Sequence, residues 1–450
     1  MKMLKFTWAL ITAVTALPNF RSSDFAPLLS SQTSEIIQDQ FMVILKEDLP
    51  EEKVIQHYLW LNLLSAPLTA DFSAQSHPHK KKGRGIHHVF EIDSHRGYVG
   101  TFHDDELDEI RRSPEVAYVE RDSVVYALNP EVERDAPWGL ARVSHREHPS
   151  KVEEHHYTYQ ADVGDGVTIY IVDTGVNIDH EDFEGRAIWG ATIPEGDADI
   201  DGNGHGTHCA GTSAGKTYGI AKKAKVVAVK VLRSNGSGSM SDVVKGIEWV
   251  SKHHKQLVEE YNAKVAAGEQ PKKIKSVANM SLGGGKSRAL DMAVNAAVAA
   301  GVHFAVAAGN DDRDACNYSP AGADKAITVG ATTIEDDRAW FSNYGKCVDI
   351  FAPGHEILST WIGSKVATNT ISGTSMASPH IAGIIASYLS RPDWESLSPA
   401  ALKKKLLETA TPKLIKMGVI PPFGSGRQTP NLLVYTSPPE HKDESFSFDL

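Results

Sequence analysis

Three short segments of the sequence place an aspartate, a histidine and a serine among glycines and small residues. They are Asp173-Thr-Gly-Val-Asn-Ile-Asp-His180, Asp201-Gly-Asn-Gly-His-Gly-Thr-His-Cys-Ala-Gly211 and Ser372-Gly-Thr-Ser-Met-Ala-Ser-Pro-His-Ile-Ala-Gly383. A serine hydroxyl becomes a useful nucleophile only when a neighbouring base takes its proton. An imidazole can serve as that base, and a carboxylate can orient the imidazole. Asp173 or Ser375 alone would be interpreted as a helix cap, but together with His205 they indicate a nucleophilic site.

Two metal sites are rival interpretations of the second segment. Asp197, Asp199 and Asp201 match the first half of an EF-hand loop, but position 12 would be His208 instead of the bidentate glutamate. A zinc site at His205 and His208 lacks both the His-Glu-x-x-His spacing and a third ligand. The third segment is not Gly-x-Ser-x-Gly, so it does not indicate an α/β-hydrolase elbow.

The elements that must position these residues begin near residue 165, where strand-length apolar runs alternate with helical patterns. The predicted strands are Val167–Val172, Val226–Leu232, Val277–Leu282, Val302–Ala308 and Ala326–Ala331. Predicted helices are His205–Ala214, Ser241–Ala267, Arg288–Ala300, Ser375–Leu389 and one capped by Ser398 with Pro399 at its first position. Such alternation predicts one α/β domain with a mostly parallel, doubly wound sheet. Functional groups gather at the carboxyl ends of parallel strands, and Asp173 directly follows the first predicted strand.

A smaller α+β unit is predicted over residues 38–128. Its strands are Phe41–Leu45, His88–Ile92 and Val116–Val119, and its helices are Glu51–Leu64 and His103–Arg112. Between them, residues 76–88 form a basic loop that contains four histidines: His77, His79, His87 and His88. One hypothesis is that their protonation loosens the unit from the rest of the chain, and the alternative is a solvated loop.

Composition narrows the class of protein. The net charge of −11 argues against a nucleic-acid binder held by phosphate contacts, because there is no basic excess to neutralise a polyanion. Residues 1–18 combine Lys2 and Lys5 with an apolar run too short to span a bilayer, so we expect a signal peptide there and no membrane span elsewhere. Three cysteines in a secretory compartment suggest one disulfide and one free thiol.

The three segments resemble the subtilase family. Within that family they are most similar to the proteinase K branch, and in particular to the cerevisin-like fungal vacuolar proteases. Asp173, His205 and Ser375 follow the family's chain order, and the resemblance begins at Ala136-Pro-Trp-Gly-Leu-Ala-Arg142 and runs to about residue 436. It implies a subtilisin-like fold and a serine endopeptidase with these residues as a catalytic triad. The fungal group is further indicated by Val231-Leu-Arg-Ser-Asn-Gly-Ser-Gly238 and Ala278-Asn-Met-Ser-Leu-Gly-Gly-Gly285.

The resemblance also implies the residues that hold substrate. Asn310 and the Ser375 backbone N–H would form the oxyanion hole. Two glycine-rich segments would pair with extended substrate, and the second, with the Ala307–Gly309 turn, would line a roomy apolar S1 pocket. We therefore expect broad specificity; taken singly, each segment could also be an ordinary turn. The implied substrate-binding residues are Gly236, Ser237, Gly238, Ser281, Leu282, Gly283, Ala308 and Gly309.

The smaller α+β unit predicted over residues 38–128 resembles the family's inhibitory propeptide. The predicted organisation is a signal peptide (1–18), a propeptide (19–128) cleaved by the enzyme itself after Leu128, a peptidase domain (129–436) and a disordered tail (437–450). The expected partners are protein and peptide substrates and the chain's own propeptide, and the expected state is a monomer. The resemblance implies protein degradation in the vacuole lumen, with secretion as the alternative location. A rival function is a self-cleaved binding protein that stays capped by its propeptide and turns over little substrate.

The resemblance also implies roles for the three cysteines and a structural metal site. Cys316 and Cys347 match a disulfide of proteinase K relatives, and Cys209 matches a buried free cysteine that is not catalytic. The chemistry needs no cofactor. A structural calcium is expected at Asp349 with carbonyls near Asp324 and Ala326, where this sequence has Asp324 in place of the family's proline; the alternative is a surface acidic pair. Glycosylation sequons begin at Asn235, Asn279 and Asn317, and Asn279 is expected in a buried strand.

Overall fold

The computed structural model describes residues 25–30, 36–64, 84–127, 137–148, 156–160, 162–269, 271–391, 393–419, 426 and 428–437. The predicted signal peptide, most of the predicted basic loop, the cleavage position Leu128 and residues 438–450 of the predicted tail lie outside these ranges.

The N-terminal unit is a four-stranded antiparallel sheet (order β5-β2-β4-β3), with a short parallel strand on β5 and two helices on one face. Its elements are β1 (Leu28–Leu29), β2 (Ile36–Leu45), α1 (Glu51–Leu64), β3 (Gly85–Ile92), β4 (His95–Thr101), α2 (Asp104–Arg112) and β5 (Val116–Ala127). Alternate residues of β2 face opposite sides of the sheet, as the period of a strand requires. Phe41 and Val43 pack on the helices of this unit, whereas Met42 and Ile44 join a core shared with the following domain.

The second unit contains a nine-stranded sheet. The first half of its elements is α3 (Trp138–Ser144), β6 (Val167–Asp173), β7 (Ala187–Thr192), α4 (His205–Ala214), β8 (Lys225–Lys230), β9 (Ser237–Ser239), α5 (Met240–Ala266), β10 (Lys275–Met280), β11 (Leu282–Gly285) and α6 (Arg288–Ala299). The second half is β12 (His303–Ala307), β13 (Tyr318–Ser319), β14 (Ile327–Thr332), β15 (Ile350–Pro353), β16 (Ile357–Thr360), β17 (Thr368–Ile371), α7 (Thr374–Ser390), α8 (Pro399–Thr409), β18 (Thr411–Pro412) and β19 (Leu432–Leu433).

The strand order is β18-β19-β15-β14-β12-β10-β6-β8-β7, and every neighbouring pair is parallel except β18 with β19. The predicted doubly wound, mostly parallel α/β fold is confirmed. Ile169 and Ile171 of β6 face the core beneath α4 and α7, while Tyr170 and Val172 face the core beneath α5 and α6. Burial on both faces explains the near-continuous apolar runs of these strands.

The order of the strands reverses around β6. The chain runs from β6 to β8 on one side of it and later returns to β10 on the other side. Ligand sites of open α/β sheets lie at such a switch point, beyond the carboxyl ends of the strands. Asp173 is the last residue of β6 and therefore lies at this position.

Candidate active site

Asp173 and His205 meet at the switch point, although 32 residues separate them. The Asp173 Oδ1 atom lies 2.8 Å from His205 Nδ1 and also accepts a hydrogen bond from the Thr174 N–H at 2.7 Å. The first turn of α4 can approach this closely because residue 206 is glycine; a Cβ there would collide with the carbonyl oxygen of Gly175. The carboxylate therefore holds the imidazole by its Nδ1 side, which assigns the proton to Nδ1 and leaves Nε2 as the basic nitrogen.

The carboxylate of Asp201 organises the loop that leads into α4. Its two oxygens accept hydrogen bonds from backbone N–H groups at positions 203, 204 and 207 and from the hydroxyls of Thr174 and Thr207. A carboxylate with this many protein donors has no lone pair left for a cation, so the EF-hand interpretation fails on geometry as well as on sequence.

His208 has a structural role on the next turn of the same helix. Its Nε2 atom lies 2.9 Å from the carbonyl oxygen of Ile357, and burial lowers its pKa to about 3. Among the described residues, His208 belongs to no group of three potential ligand atoms close enough to share a metal ion, so the zinc interpretation still lacks a third ligand.

Ser375 is the second residue of α7 and lies in the first turn of that helix. Pro379 lies four residues further along and has no N–H to bond the Ser375 carbonyl oxygen, as a helix otherwise requires. That oxygen instead accepts hydrogen bonds from Ser281 Oγ at 2.7 Å and from Cys209 Sγ at 3.4 Å. Because Cys209 lies one helical turn after His205, these contacts bring the start of α7 against the histidine-bearing face of α4.

The cysteine beside the site is unsuited to be a nucleophile or a metal ligand. Ligand atoms of Asp173, His205 and Cys209 lie within 4.8 Å of one another, which would suit a small cation. Burial, and secondarily the charge of Asp173, raise the pKa of Cys209 well above its ordinary value. A thiol that keeps its proton neither attacks carbonyls nor binds metals well.

Asn310 follows β12 by three residues, and its amide orientation is set by Thr374. Both the backbone N–H and the hydroxyl of Thr374 donate to Asn310 Oδ1, at 2.9 and 2.8 Å. The Nδ2 group must therefore face the opposite direction. A Cβ placed on Gly373 would lie 3.3 Å from Asn310 Nδ2 and 3.6 Å from the Ser375 backbone nitrogen. Two N–H donors thus converge on one small space beside the serine, the arrangement that an oxyanion needs.

The two glycine-rich segments lie on either side of β5. Val125 and Tyr126 pair antiparallel with Gly238 and Ser237 of β9, and Tyr126 and Ala127 pair with Gly283 and Leu282 of β11. Gly236 lies in the turn before β9, with a φ of +82° that favours glycine. The predicted substrate segments therefore do hold an extended chain, and that chain is the end of the N-terminal unit.

Ala308 and Gly309 lie beside Asn310, with apolar residues behind them. Ala308 is fully buried in a cluster with Ala315, Ala321, Val348 and Phe351. The predicted disulfide between Cys316 and Cys347 is present next to this cluster, with the two Cα atoms 5.2 Å apart.

A second contact between the two units places carboxylates of β5 at helix N-termini. Glu120 accepts a hydrogen bond from the Ala289 N–H in the first turn of α6, and Asp122 accepts one from the Ser241 N–H in the first turn of α5, each at 2.9 Å. Burial raises the pKa of both carboxyls, that of Glu120 to about 7. These two helix caps were not predicted from the sequence. The alternation of side chains along a strand could have indicated them, because acidic residues two apart on a strand point to the same side.

His88 makes a contact that bears on the hypothesis that histidine protonation loosens the N-terminal unit. Its Nε2 atom contacts the carboxylate of Glu248 on α5, so a charged imidazole strengthens this contact instead of loosening it. His77 and His79 lie outside the described residues.

The predicted calcium ligands do not fit a calcium ion in this chain. The ammonium group of Lys403 lies 2.9 Å from Asp349 Oδ2, 2.6 Å from the Ala326 carbonyl oxygen and 3.0 Å from the Asp324 carbonyl oxygen. The three protein groups expected to hold the metal all bind one lysine instead.

Comparison with known proteins agrees with this geometry. Residues 164–431 match the Subtilase family, and residues 40–128 match the family Peptidase inhibitor I9. The chain is 53% identical over 428 residues to the subtilisin-like serine protease Pen c 2 of Penicillium citrinum, covering 91% of this chain and 90% of that protein. It is 51% identical over 423 residues to alkaline protease 2 of Aspergillus fumigatus, covering 91% of this chain and 83% of that protein. A crystal structure of a cold-adapted subtilisin-like serine proteinase superposes with a TM-score of 0.57 at 43% identity, covering 67% of this chain and 99% of the other.

The chain belongs to the subtilase family. It is a serine protease whose N-terminal unit is an I9-type propeptide, as the sequence predicted. Within the described part of the chain, no helix combines the length and the apolar character needed to cross a membrane.

Proposed function

We propose that this chain is the self-processing zymogen of a broad-specificity serine endopeptidase. Ser375 attacks the scissile carbonyl, His205 takes its proton and returns it to the leaving amine, and Asp173 orients and stabilises the imidazolium. Asn310 Nδ2 and the Ser375 N–H hold the oxyanion. The observation that carries the proposal is the convergence of the Asp173–His205 pair and the Asn310 amide on the N-terminus of α7.

The end of β5 supports cleavage after Leu128. The antiparallel register pairs Tyr126 with Gly283 and Ala127 with Leu282. One further residue in the same register would lie opposite Ser281, whose carbonyl oxygen accepts a hydrogen bond from Ser375 Oγ at 3.2 Å. A propeptide that ends in this position serves first as substrate and then, after cleavage, as a product-like inhibitor held by the same two strands.

The remaining features of the proposal concern substrates and location. The apolar surroundings of Ala308 support broad preference for aliphatic or aromatic side chains at P1. We place the protease in the vacuole lumen, with secretion as the alternative, and we place the domain boundaries at residues 18, 128 and 436. The protein acts as a monomer and its chemistry requires no cofactor. Of the sequons, Asn235 and Asn317 are exposed and available to glycosylation, whereas Asn279 is fully buried in β10.

Substitution of the nucleophile tests the proposal. Ser375→Ala should leave the precursor uncut and abolish casein hydrolysis, while Ser390→Ala, at the far end of the same helix, should mature normally. N-terminal sequencing of the wild-type product should find a start at residue 129. A start before about residue 125 or after 134 would contradict the processing scheme, and casein hydrolysis by the alanine variant would contradict the nucleophile.

The same purified protein distinguishes the proposed protease function from the alternative of a self-cleaved binding protein. The purified wild-type protein should hydrolyse casein through many turnovers once the propeptide is degraded. One self-cleavage followed by no turnover, with the propeptide still bound, would instead favour the binding protein.

A further inference from the structure

Lys403 connects three segments that are distant in sequence. It lies in the second turn of α8, and its ammonium group reaches the carbonyl oxygens of Asp324 and Ala326 and the carboxylate of Asp349. The lysine and aspartate side chains are only 18% and 20% exposed. The contact is therefore a partly buried ion pair with additional carbonyl acceptors, not a solvent-exposed pair of the kind that contributes little.

The number and spacing of the acceptors match an ammonium ion. Lysine has three N–H donors, and the three oxygens lie 2.6 to 3.0 Å from Nζ. Calcium takes six to eight oxygen ligands at about 2.3–2.6 Å, so these groups would supply only about half of its shell. The lysine brings its own positive charge and needs no free ion to neutralise Asp349.

The site also supports the wall behind the predicted S1 pocket. Asp349 Oδ2 accepts a second hydrogen bond from the Thr328 N–H at 2.8 Å, and the Thr328 hydroxyl donates to the Ala321 carbonyl oxygen at 2.9 Å. Ala321 packs in the same apolar cluster as Ala308. Loss of the cation at this point would loosen the segments on which that cluster rests.

We propose that Lys403 is the built-in cation of this site and that the site accepts a calcium ion only when the lysine is removed. A groove of about 770 Å³ opens onto Lys403 between Val298, Asp324 and Leu407, so water and ions can reach the oxygens from solvent once the side chain is gone. The family resemblance implies a calcium ion at this position. This chain instead carries a covalently attached cation there, the Lys403 side chain on α8.

The experiment compares calcium binding and thermal stability in the full chain. All proteins carry Ser375→Ala, so that no proteolysis occurs and the result does not depend on the proposed activity. The test variant is Lys403→Ala, and the matched control is Lys404→Ala, since Lys404 is adjacent on α8 and pairs with Glu408 across one turn. Lys403→Met, which keeps the aliphatic stem, replaces the alanine variant if that protein does not accumulate.

In EGTA, the Lys403 variant should unfold on the order of 5 °C below the parent, because an uncompensated carboxylate remains. In 10 mM CaCl₂ it should recover several degrees more than the parent does, and equilibrium dialysis should find one additional calcium ion per chain. Adding Asp349→Asn should remove both the recovery and the extra ion, and the Lys404 control should behave as the parent. A Lys403 variant that binds the same number of calcium ions as the parent, with the same calcium-induced shift, would overturn the proposal.

Discussion

Asn343 is a buried amide that holds the turn presenting Asn310, the side chain proposed for the oxyanion hole. Its Nδ2 group donates to the Ala308 carbonyl oxygen at 2.8 Å, and its Oδ1 atom accepts from the N–H groups of Asp311 and Arg313 at 3.1 and 2.9 Å. Its own N–H donates to the Gly309 carbonyl oxygen. One side chain therefore holds both ends of the turn that presents Asn310.

The cost of losing this amide follows from these bonds. Asn343→Ala removes three side-chain hydrogen bonds, one of them to the carbonyl oxygen of the buried Ala308, at roughly 1 kcal/mol each, so the domain should lose about 3 kcal/mol. That loss corresponds to a fall in the unfolding midpoint of roughly 6 °C for a domain of this size. A complete loss of an oxyanion donor costs about 10²–10³ in kcat. A displaced donor should cost less, so we expect kcat to fall about 10- to 100-fold while KM changes by less than about threefold.

Kinetics on a peptide p-nitroanilide, with mature enzyme, separate positioning from stability. The binding of a peptide aldehyde, which forms a tetrahedral adduct with the serine, should weaken in parallel with kcat/KM. Asn295→Ala is the matched control, because this amide also holds a turn, at Asp324 and Lys325, but away from Asn310. If Asn343→Ala loses stability yet keeps the kcat and aldehyde affinity of the control, the positioning role is refuted.

Three further predictions concern the cysteines and the propeptide. Reduction of the Cys316–Cys347 bond, which closes a 31-residue separation, should lower stability by about 3–4 kcal/mol, measured by denaturant unfolding with and without reductant. Cys209→Ala should keep kcat within a few-fold of wild type, and iodoacetamide at pH 8 should label Cys209 only after unfolding, because burial keeps the thiol protonated. The raised pKa of Glu120 means that the complex takes up a proton between about pH 4.5 and 7, so propeptide affinity should rise up to about tenfold per pH unit as the pH falls from 7 to 5 and become independent of this group above about pH 7. Glu120→Gln should flatten this dependence, and a complex that loosens on acidification would contradict the assignment.

The sequence predicted those features that depend on period and on local motifs. The five predicted strands of the large domain are all present within two residues at each end, because buried parallel strands have continuous apolar runs. Ser398 caps α8 with Pro399 at its first position, as expected. Missed strands are short or less apolar: β4 (His95–Thr101) contains arginine and two glycines, and the β16–β17 hairpin pairs four residues on each side.

Residues that act by long-range contacts could not be identified in this way. Asn343 lies in Phe341-Ser-Asn-Tyr344, where nothing local marks it as the partner of a turn 30 residues earlier. Lys403 is one of three consecutive lysines, Lys403-Lys-Lys405, and only the orientation of α8 selects which of them faces Asp349. A resemblance to calcium-binding relatives could predict the oxygens but not the lysine that occupies them.

β5 makes two kinds of contact between the propeptide and the protease domain. Glu120 and Asp122 lie two residues apart on one side of β5, and they accept hydrogen bonds from first-turn N–H groups of α6 and α5, which have no partner within their own helix. The same strand continues as the chain held between β9 and β11. Because the caps and the product-like segment belong to one rigid strand, a register shift of one residue would turn both carboxylates away from the helices. In the proposed scheme of cleavage after Leu128, correct capping of α5 and α6 fixes the residue that reaches Ser375, so two helix N-termini away from that serine would set the position of cleavage.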